Sequence, residues 1–156
     1  MDILLISNED MCRSRMAQEL LNSFGRGFKF TTAGIAEGNA VPDVVWQFMS
    51  AKGYEISRKK PVHVSACMDR QWDFVVTLTK EAEDELSMLP IRAEQIANFH
   101  FEDALTTSDA DLEIETLLSA LYEDMYKQLY EFYRDVLSEL VAPRCTCGAN
   151  TYCRCE

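Results

Sequence analysis

The sequence predicts an α/β three-layer sandwich with a mainly parallel four-stranded sheet. Short apolar runs that are typical of buried strands alternate with segments whose apolar residues recur at helical spacing. The strongest run, Phe-Val-Val-Thr-Leu at residues 74–78, is apolar enough for a central strand. Strands that alternate with helices form parallel sheets through right-handed crossovers, with helices on both faces.

The first half of the chain predicts two strands and two helices. Leu20 and Phe24 continue a helical stripe that Gly25 ends, and Pro42 and Gly53 suit the first turn and the end of the second helix. The predicted elements are a strand at residues 2–6, a polar loop at 7–11, a helix from 14 to 24, a strand at 28–32, a flexible stretch at 34–38 and a helix from 42 to 53.

The second half predicts two more strands and two more helices. After the strand at 74–78 come an acidic helix at 80–88, a short buried strand at 95–99, an acidic loop at 101–111 and a long last helix. The stripe on that helix is about seven turns long and consists of Ile114, Leu118, Leu121, Met125, Leu129, Phe132, Val136 and Leu140. Because Pro143 ends the helix, we divide the chain into an α/β domain at residues 1–141 and a cysteine-rich tail at residues 142–156.

Composition narrows the function classes. The chain has 156 residues, of which 47% are hydrophobic, so it fits one folded domain. A formal net charge of −11 opposes nucleic acid and anionic membrane surfaces, so neither partner is expected. The apolar run at residues 3–6 is too short for a signal peptide, and no run is long enough to span a bilayer. We therefore expect a cytoplasmic protein.

The segment after the first strand is the candidate functional loop. A loop between a strand and a helix N-terminus offers backbone N–H groups and a positive dipole to an anion. The Arg13 guanidinium can hold two oxygens of a phosphate-like group, and Ser14 can donate a further hydrogen bond. The predicted anion-binding loop consists of Asn8, Glu9, Asp10, Met11, Cys12, Arg13 and Ser14. A solvated arginine that caps a turn is the alternative interpretation.

Residues 3–17 as a whole carry a family resemblance. The segment resembles the signature of the low-molecular-weight tyrosine phosphatases and the thioredoxin-type arsenate reductases. The matching features are an apolar strand, the five residues between Ser7 and Arg13, Ser14, and the pair Met16-Ala17. Weaker matches extend the resemblance over roughly the first 105 residues. They are Thr32-Ala33-Gly34, Gly53-Tyr54-Glu55-Ile56-Ser57, residues 73–78 and Phe101-Glu102-Asp103-Ala104.

The resemblance implies a three-part catalytic site in which one part has changed. In the family, a cysteine thiolate attacks phosphorus or arsenic, the arginine steadies the equatorial oxygens and an aspartate protonates the leaving group. The last two roles would fall on Arg13 and Asp103, but Ser7 stands where the family keeps its cysteine. A serine hydroxyl keeps its proton at neutral pH, and no histidine adjoins Ser7 to act as base. A solvated acidic loop explains Asp103 without any catalytic role.

Other departures from the family pattern point the same way. Glu9 and Asp10 stand where the family places Gly and Asn, so we expect two carboxylates that repel a dianion and a strained backbone at residue 9. Phosphate affinity should therefore be poor. Cys12 is interpreted as a packed, idle thiol. Leu78 and Thr79 stand where an arsenate reductase would need resolving cysteines, so that activity is not expected.

The tail holds Cys145, Cys147, Cys153 and Cys155, which have the number and softness for one tetrahedral zinc site. The alternatives are a redox couple and a tail whose thiols bind metal only opportunistically. No cofactor is expected for the phosphatase-like domain itself.

The sequence is compatible with three functions. The first is a catalytically impaired relative that acts by binding or regulation, with a protein partner or weak binding of a phosphate-like oxyanion or phosphoprotein. The second is a slow phosphatase that uses Arg13, Asp103 and either Ser7 or an activated water. The third is a metal- or redox-responsive adaptor that works through the tail.

Overall fold

The computed structural model describes residues 1–105 and 111–141. The strands are β1 (Asp2–Glu9), β2 (Lys29–Ala36), β3 (Gln71–Thr77) and β4 (Arg92–Asn98). The helices are α1 (Arg13–Phe24), α2 (Asp43–Ala51), α3 (Lys80–Leu86), α4 (Asp111–Phe132) and α5 (Ser138–Val141), with a 3-10 turn at Val64–Cys67 and a π-helical turn at Tyr133–Leu137.

The four strands form one sheet in the order β2-β1-β3-β4, and every neighbouring pair is parallel. The predicted fold class is therefore confirmed. Because β1 pairs with both β2 and β3, the connection from β1 to α1 lies at the middle of the carboxyl edge of the sheet. Ligands of open parallel sheets bind at this edge.

The sheet is covered on both faces, and β1 shows how the sequence divides between them. Ile3 and Leu5 belong to a core that packs against α1, α2 and α4. Leu4 and Ile6 belong to a second core on the side of α3 and the 3-10 turn. All four side chains are fully or almost fully buried, and such burial stabilises the fold by roughly 1.5–3 kcal/mol per side chain.

Two strands extend further at their carboxyl ends than predicted. β1 runs on to Glu9 instead of ending at Ile6, and β2 runs on to Ala36. Parallel pairing continues through Ser7↔Gly34 and Glu9↔Ala36. Backbone pairing does not need apolar side chains, so the change from apolar to polar residues after Ile6 ends the core-facing run but not the strand.

The prediction of a buried strand at residues 95–99 is wrong in its burial. The strand β4 lies at the edge of the sheet beside β3, and most of its side chains are exposed. Ile96 is 54% exposed. An edge strand receives less helix cover than a central one, and its single isoleucine could not reveal this.

The last helix departs from a single continuous stripe. The π-helical turn at Tyr133–Leu137 shifts the buried face, so that Leu137 is buried while Leu140, which was predicted in the stripe, is exposed. The Tyr133 hydroxyl lies against Gly25, where a Cβ atom would come within 2.1 Å of it. Gly25 ends α1 as predicted, but with extended backbone. Within the described residues, no helix combines the length and hydropathy needed to cross a bilayer.

Candidate active site

Ser7 lies inside β1 and not in a loop. It is 1% exposed, it is paired with Gly34 of β2, and its hydroxyl donates a hydrogen bond to the Glu9 carbonyl at 3.1 Å. The connection to α1 therefore begins only after Glu9. The backbone of residues 7–9 is extended along β2, so this part of the predicted anion loop does not coil around a ligand.

The three residues that connect β1 to α1 form a tight turn. The Met11 amide donates to the Glu9 carbonyl at 2.6 Å, so this N–H group is already used within the turn. Gly34 lets β2 pass beside the turn, because a Cβ atom there would lie 2.7 Å from the Asp10 nitrogen and 3.0 Å from the Glu9 Cα. The backbone strain expected at residue 9 is absent, since Glu9 is a strand residue and no described non-glycine residue has positive φ.

Asp10 is placed differently from the prediction, which put its carboxylate beside the anion. The side chain is fully buried and points into the protein. It accepts hydrogen bonds from the Ser14 hydroxyl at 2.7 Å, from Arg15 Nε at 3.0 Å and Nη2 at 2.8 Å, and from the Val62 amide at 3.1 Å. The Arg15 guanidinium offsets the charge of Asp10, and the Ser14 hydroxyl is used inside this network.

Arg15 is the residue at this site that sequence reasoning missed. Besides Asp10, its guanidinium contacts the carbonyl oxygens of Ser57 at 3.1 Å and Lys60 at 3.4 Å. It thereby ties the start of α1 to the segment after α2. The signal in the sequence was an arginine in the first turn of a helix, at a position that faces the protein interior. A buried arginine needs a nearby carboxylate.

Arg13 and Asp103 are brought together, as the resemblance implies. Arg13 is buried, and its Nη2 lies 3.6 Å from Asp103 Oδ2. Its Nη1 donates to the Phe101 carbonyl at 2.8 Å. Asp103 is 31% exposed in its side chain and accepts a hydrogen bond from the Leu105 amide at 2.8 Å. Arg13 thus holds the segment after β4 against the start of α1.

A small pocket of about 190 Å³ opens between these segments. Its lining consists of Asn8, Glu9, Met11, Cys12, Arg13, Asp103 and Leu105. Most of the predicted loop residues therefore meet Asp103 around one cavity, whereas Ser7, Asp10 and Ser14 are not part of the lining. The Asn8 side chain is fixed, because its Oδ1 accepts a 2.6 Å hydrogen bond from the Thr79 hydroxyl.

Cys12 is a packed thiol. Burial raises its pKa from 9.0 to about 12, and the opposing influence of the nearby Arg13 guanidinium is smaller. The sulfur lies 3.8 Å from the Met16 sulfur. A thiol with this pKa is protonated at neutral pH and is a poor nucleophile.

We expect Cys12 to resist alkylation in the folded protein. Iodoacetamide at pH 8 should leave the peptide that contains Cys12 unmodified in native buffer and modify it in denaturant, as read by mass spectrometry. The raised pKa means that the folded state keeps a proton that the unfolded state loses above pH 9. The contribution of Cys12 to stability is then complete below pH 9 and lost as pH rises towards about 12. Wild type should lose more stability over this window than Cys12→Ala, and rapid native labelling would contradict this account.

The two histidines take structural positions. His63 caps the 3-10 turn, with Nδ1 accepting from the Ser65 amide at 3.2 Å. His100 pairs with Glu83 at the surface. Neither belongs to a group of three metal-binding side chains, and no such group occurs among the residues that the structure describes. The predicted zinc ligands in the tail lie outside the described residues.

The chain was compared with curated proteins and with solved structures. No curated protein matches the sequence. Among solved structures, the chain is similar to an arsenate reductase from Archaeoglobus fulgidus (20% identity, 81% of this chain and 98% of that one, TM-score 0.61). It is also similar to DARP, a Drosophila arginine phosphatase (15%, 86% and 97%, TM-score 0.71), and to a low molecular weight protein tyrosine phosphatase from T. tengcongensis (16%, 87% and 99%, TM-score 0.71). At these identities, the structural similarity shows the fold.

The family itself follows from the sequence match. The family model described as low molecular weight phosphotyrosine protein phosphatase matches residues 2–141. This match spans all four strands and the segments that contain Ser7, Arg13 and Asp103. The chain therefore belongs to the low molecular weight phosphotyrosine protein phosphatase family.

Proposed function

We propose that this protein is a family member with little or no phosphatase activity, which acts by binding a partner or by regulation. The observation that carries the proposal is the environment of Ser7. Its hydroxyl stands at the position of the family's nucleophile, is buried in a strand and donates a hydrogen bond to the Glu9 backbone carbonyl. A carbonyl oxygen cannot take up the hydroxyl proton, so the contact does not activate the serine.

Two further features support impaired chemistry. The Arg13 guanidinium is engaged by the Phe101 carbonyl and lies close to Asp103. The Ser14 hydroxyl is engaged by Asp10. Groups that would have to turn towards a phosphate therefore already have protein partners, and binding an anion would require breaking these contacts. We expect weak binding of a phosphate-like oxyanion or phosphoprotein and a cytoplasmic location.

A phosphatase assay tests the proposal. We expect turnover of para-nitrophenyl phosphate by the wild type to stay at the level of Arg13→Ala and of a buffer blank, over pH 5–8. Ser7→Cys alone should not restore activity, because the substituted side chain remains inside β1. Robust wild-type turnover that disappears in Arg13→Ala would contradict the proposal.

The alternative function is slow hydrolysis of a phosphate monoester. The observation that favours it is the shared pocket, which brings Arg13 and Asp103 together at the carboxyl edge of the sheet. In this alternative, a water molecule or Ser7 attacks phosphorus while Asp103 protonates the leaving group. Turnover that depends on both Arg13 and Asp103 would identify it.

The cysteine-rich tail stays a separate prediction. Four cysteines in two Cys-x-Cys pairs at residues 145–155 suit one zinc ion, and metal analysis of protein purified without added zinc tests this. We expect about one zinc per chain, lost when residues 142–156 are removed. If the tail is the functional part, its removal should abolish partner binding and leave the α/β domain folded.

A further inference from the structure

We propose that the pocket between the β1–α1 turn and the segment after β4 binds a cationic side chain, arginine or lysine, of a protein partner. The inference rests on the proposed function, since it assigns a ligand class to the site that no longer suits phosphate chemistry. It reverses the charge of the ligand that the family resemblance implies.

Several groups that could bind an anion are already engaged within the protein. The Met11 amide is bonded to the Glu9 carbonyl, and residues 7–9 pair with β2. A concave set of free N–H groups, which anion loops require, is therefore not available from these residues. The buried Arg13 guanidinium already faces two oxygen partners, the Phe101 carbonyl and the Asp103 carboxylate.

The charge balance of the pocket favours a cation. Its lining contains the carboxylates of Glu9 and Asp103 against the single guanidinium of Arg13, so its formal charge is negative. Glu9 is exposed, and Asp103 is partly exposed. Within the described part of the chain, the only hydrogen bond to Asp103 Oδ1 comes from the Leu105 backbone amide. A phosphate dianion would meet two like charges, whereas a cation would complete the balance. The net charge of −11 on the chain adds to this preference.

The size and walls of the pocket suit one side chain. A volume of about 190 Å³ is below the roughly 300–1,000 Å³ of pockets for drug-sized ligands. Met11, Cys12 and Leu105 give apolar walls that can pack against the methylene groups of a long cationic side chain. The carboxylates of Glu9 and Asp103 supply acceptors for its N–H groups.

An NMR titration of the full chain tests the proposal. The probe is N-acetyl-arginine amide, and its control is N-acetyl-citrulline amide, which has nearly the same shape without the charge. We expect the arginine probe to shift the amide resonances of residues 8–13 and 103–105 at low salt, and the citrulline probe to leave them unchanged. Glu9→Gln should raise the Kd about two- to fivefold, as expected for a partly exposed charge pair. Glu102→Gln, which removes the same charge outside this pocket, should not change the Kd.

The outcomes separate this inference from the proposed function. Equal shifts from both probes, or none from either, overturn the cation site, even if the phosphatase assay finds no turnover. Shifts of these resonances by inorganic phosphate but not by the arginine probe also overturn it. Phosphatase turnover would instead overturn the proposed function, and it is measured without the probes.

Discussion

Replacing Asp10 by alanine is expected to lower the free energy of unfolding by about 3–5 kcal/mol, because it leaves the buried Arg15 guanidinium without its carboxylate partner. Asp10 accepts hydrogen bonds from the side chains of Ser14 and Arg15 and from the Val62 amide, and both charged side chains are buried. Their loss also frees the start of α1 from the segment after α2. Urea denaturation followed by circular dichroism measures the change.

A matched surface pair provides the control. Asp43 and Arg58 form an ion pair whose side chains are largely exposed. Asp43→Ala should therefore cost at most about 1 kcal/mol. If the two aspartate variants lose the same amount of stability, the buried network is not what holds the turn in place.

A double variant separates the charge pair from the hydrogen bonds. Asp10→Asn restores the residue type that the family carries and can still accept from Ser14, but it leaves the buried charge of Arg15 without a carboxylate. Adding Arg15→Met removes that charge and should recover part of the lost stability. If the stability loss of the double variant equals the sum of the losses in Asp10→Asn and in Arg15→Met, Asp10 and Arg15 are not coupled.

The fold could be predicted from the sequence, because it depends on burial patterns that the sequence displays directly. The alternation of Ile3 and Leu5 with Leu4 and Ile6 sends side chains to two cores, so a sheet covered on both faces follows. The helix starting near Ser14 follows from apolar periodicity, and its end follows from the glycine at position 25. The exposure of β4 could not be predicted in the same way, since it depends on the position of the strand in the sheet.

The family resemblance implied that Arg13 and Asp103 share one site, and in the structure their guanidinium and carboxylate are neighbours. The geometry around them was predicted less well. Spacing could not tell that Glu9 continues β1, because strand pairing depends on the facing strand and not on side-chain polarity. Spacing also could not predict where the Asp10 side chain points. Its direction is set by Arg15 and by the amide of Val62, which lies far away in the sequence.

Arg13→Ala is expected to lower the free energy of unfolding by about 1.5–3 kcal/mol, the range for losing a hydrogen bond to a charged group. The Arg13 guanidinium donates to the Phe101 carbonyl at 2.8 Å and lies 3.6 Å from Asp103. Without it, the buried carbonyl loses a donor and the segment after β4 is held less firmly. Denaturation gives the global change, and hydrogen exchange at residues 99–105 should increase locally.

This stability loss distinguishes a structural arginine from one kept free for an anion. An arginine whose role is to bind phosphate makes few contacts in the unliganded protein. Its removal would therefore leave the free energy of unfolding unchanged and would abolish only ligand binding. Arg134→Ala, at an exposed pair with Asp135, provides a control that should unfold like the wild type. Because Arg13 is committed to the Phe101 carbonyl, we expect its replacement to act on the protein itself. An unchanged unfolding free energy in Arg13→Ala would return this residue to anion binding and favour the slow phosphatase.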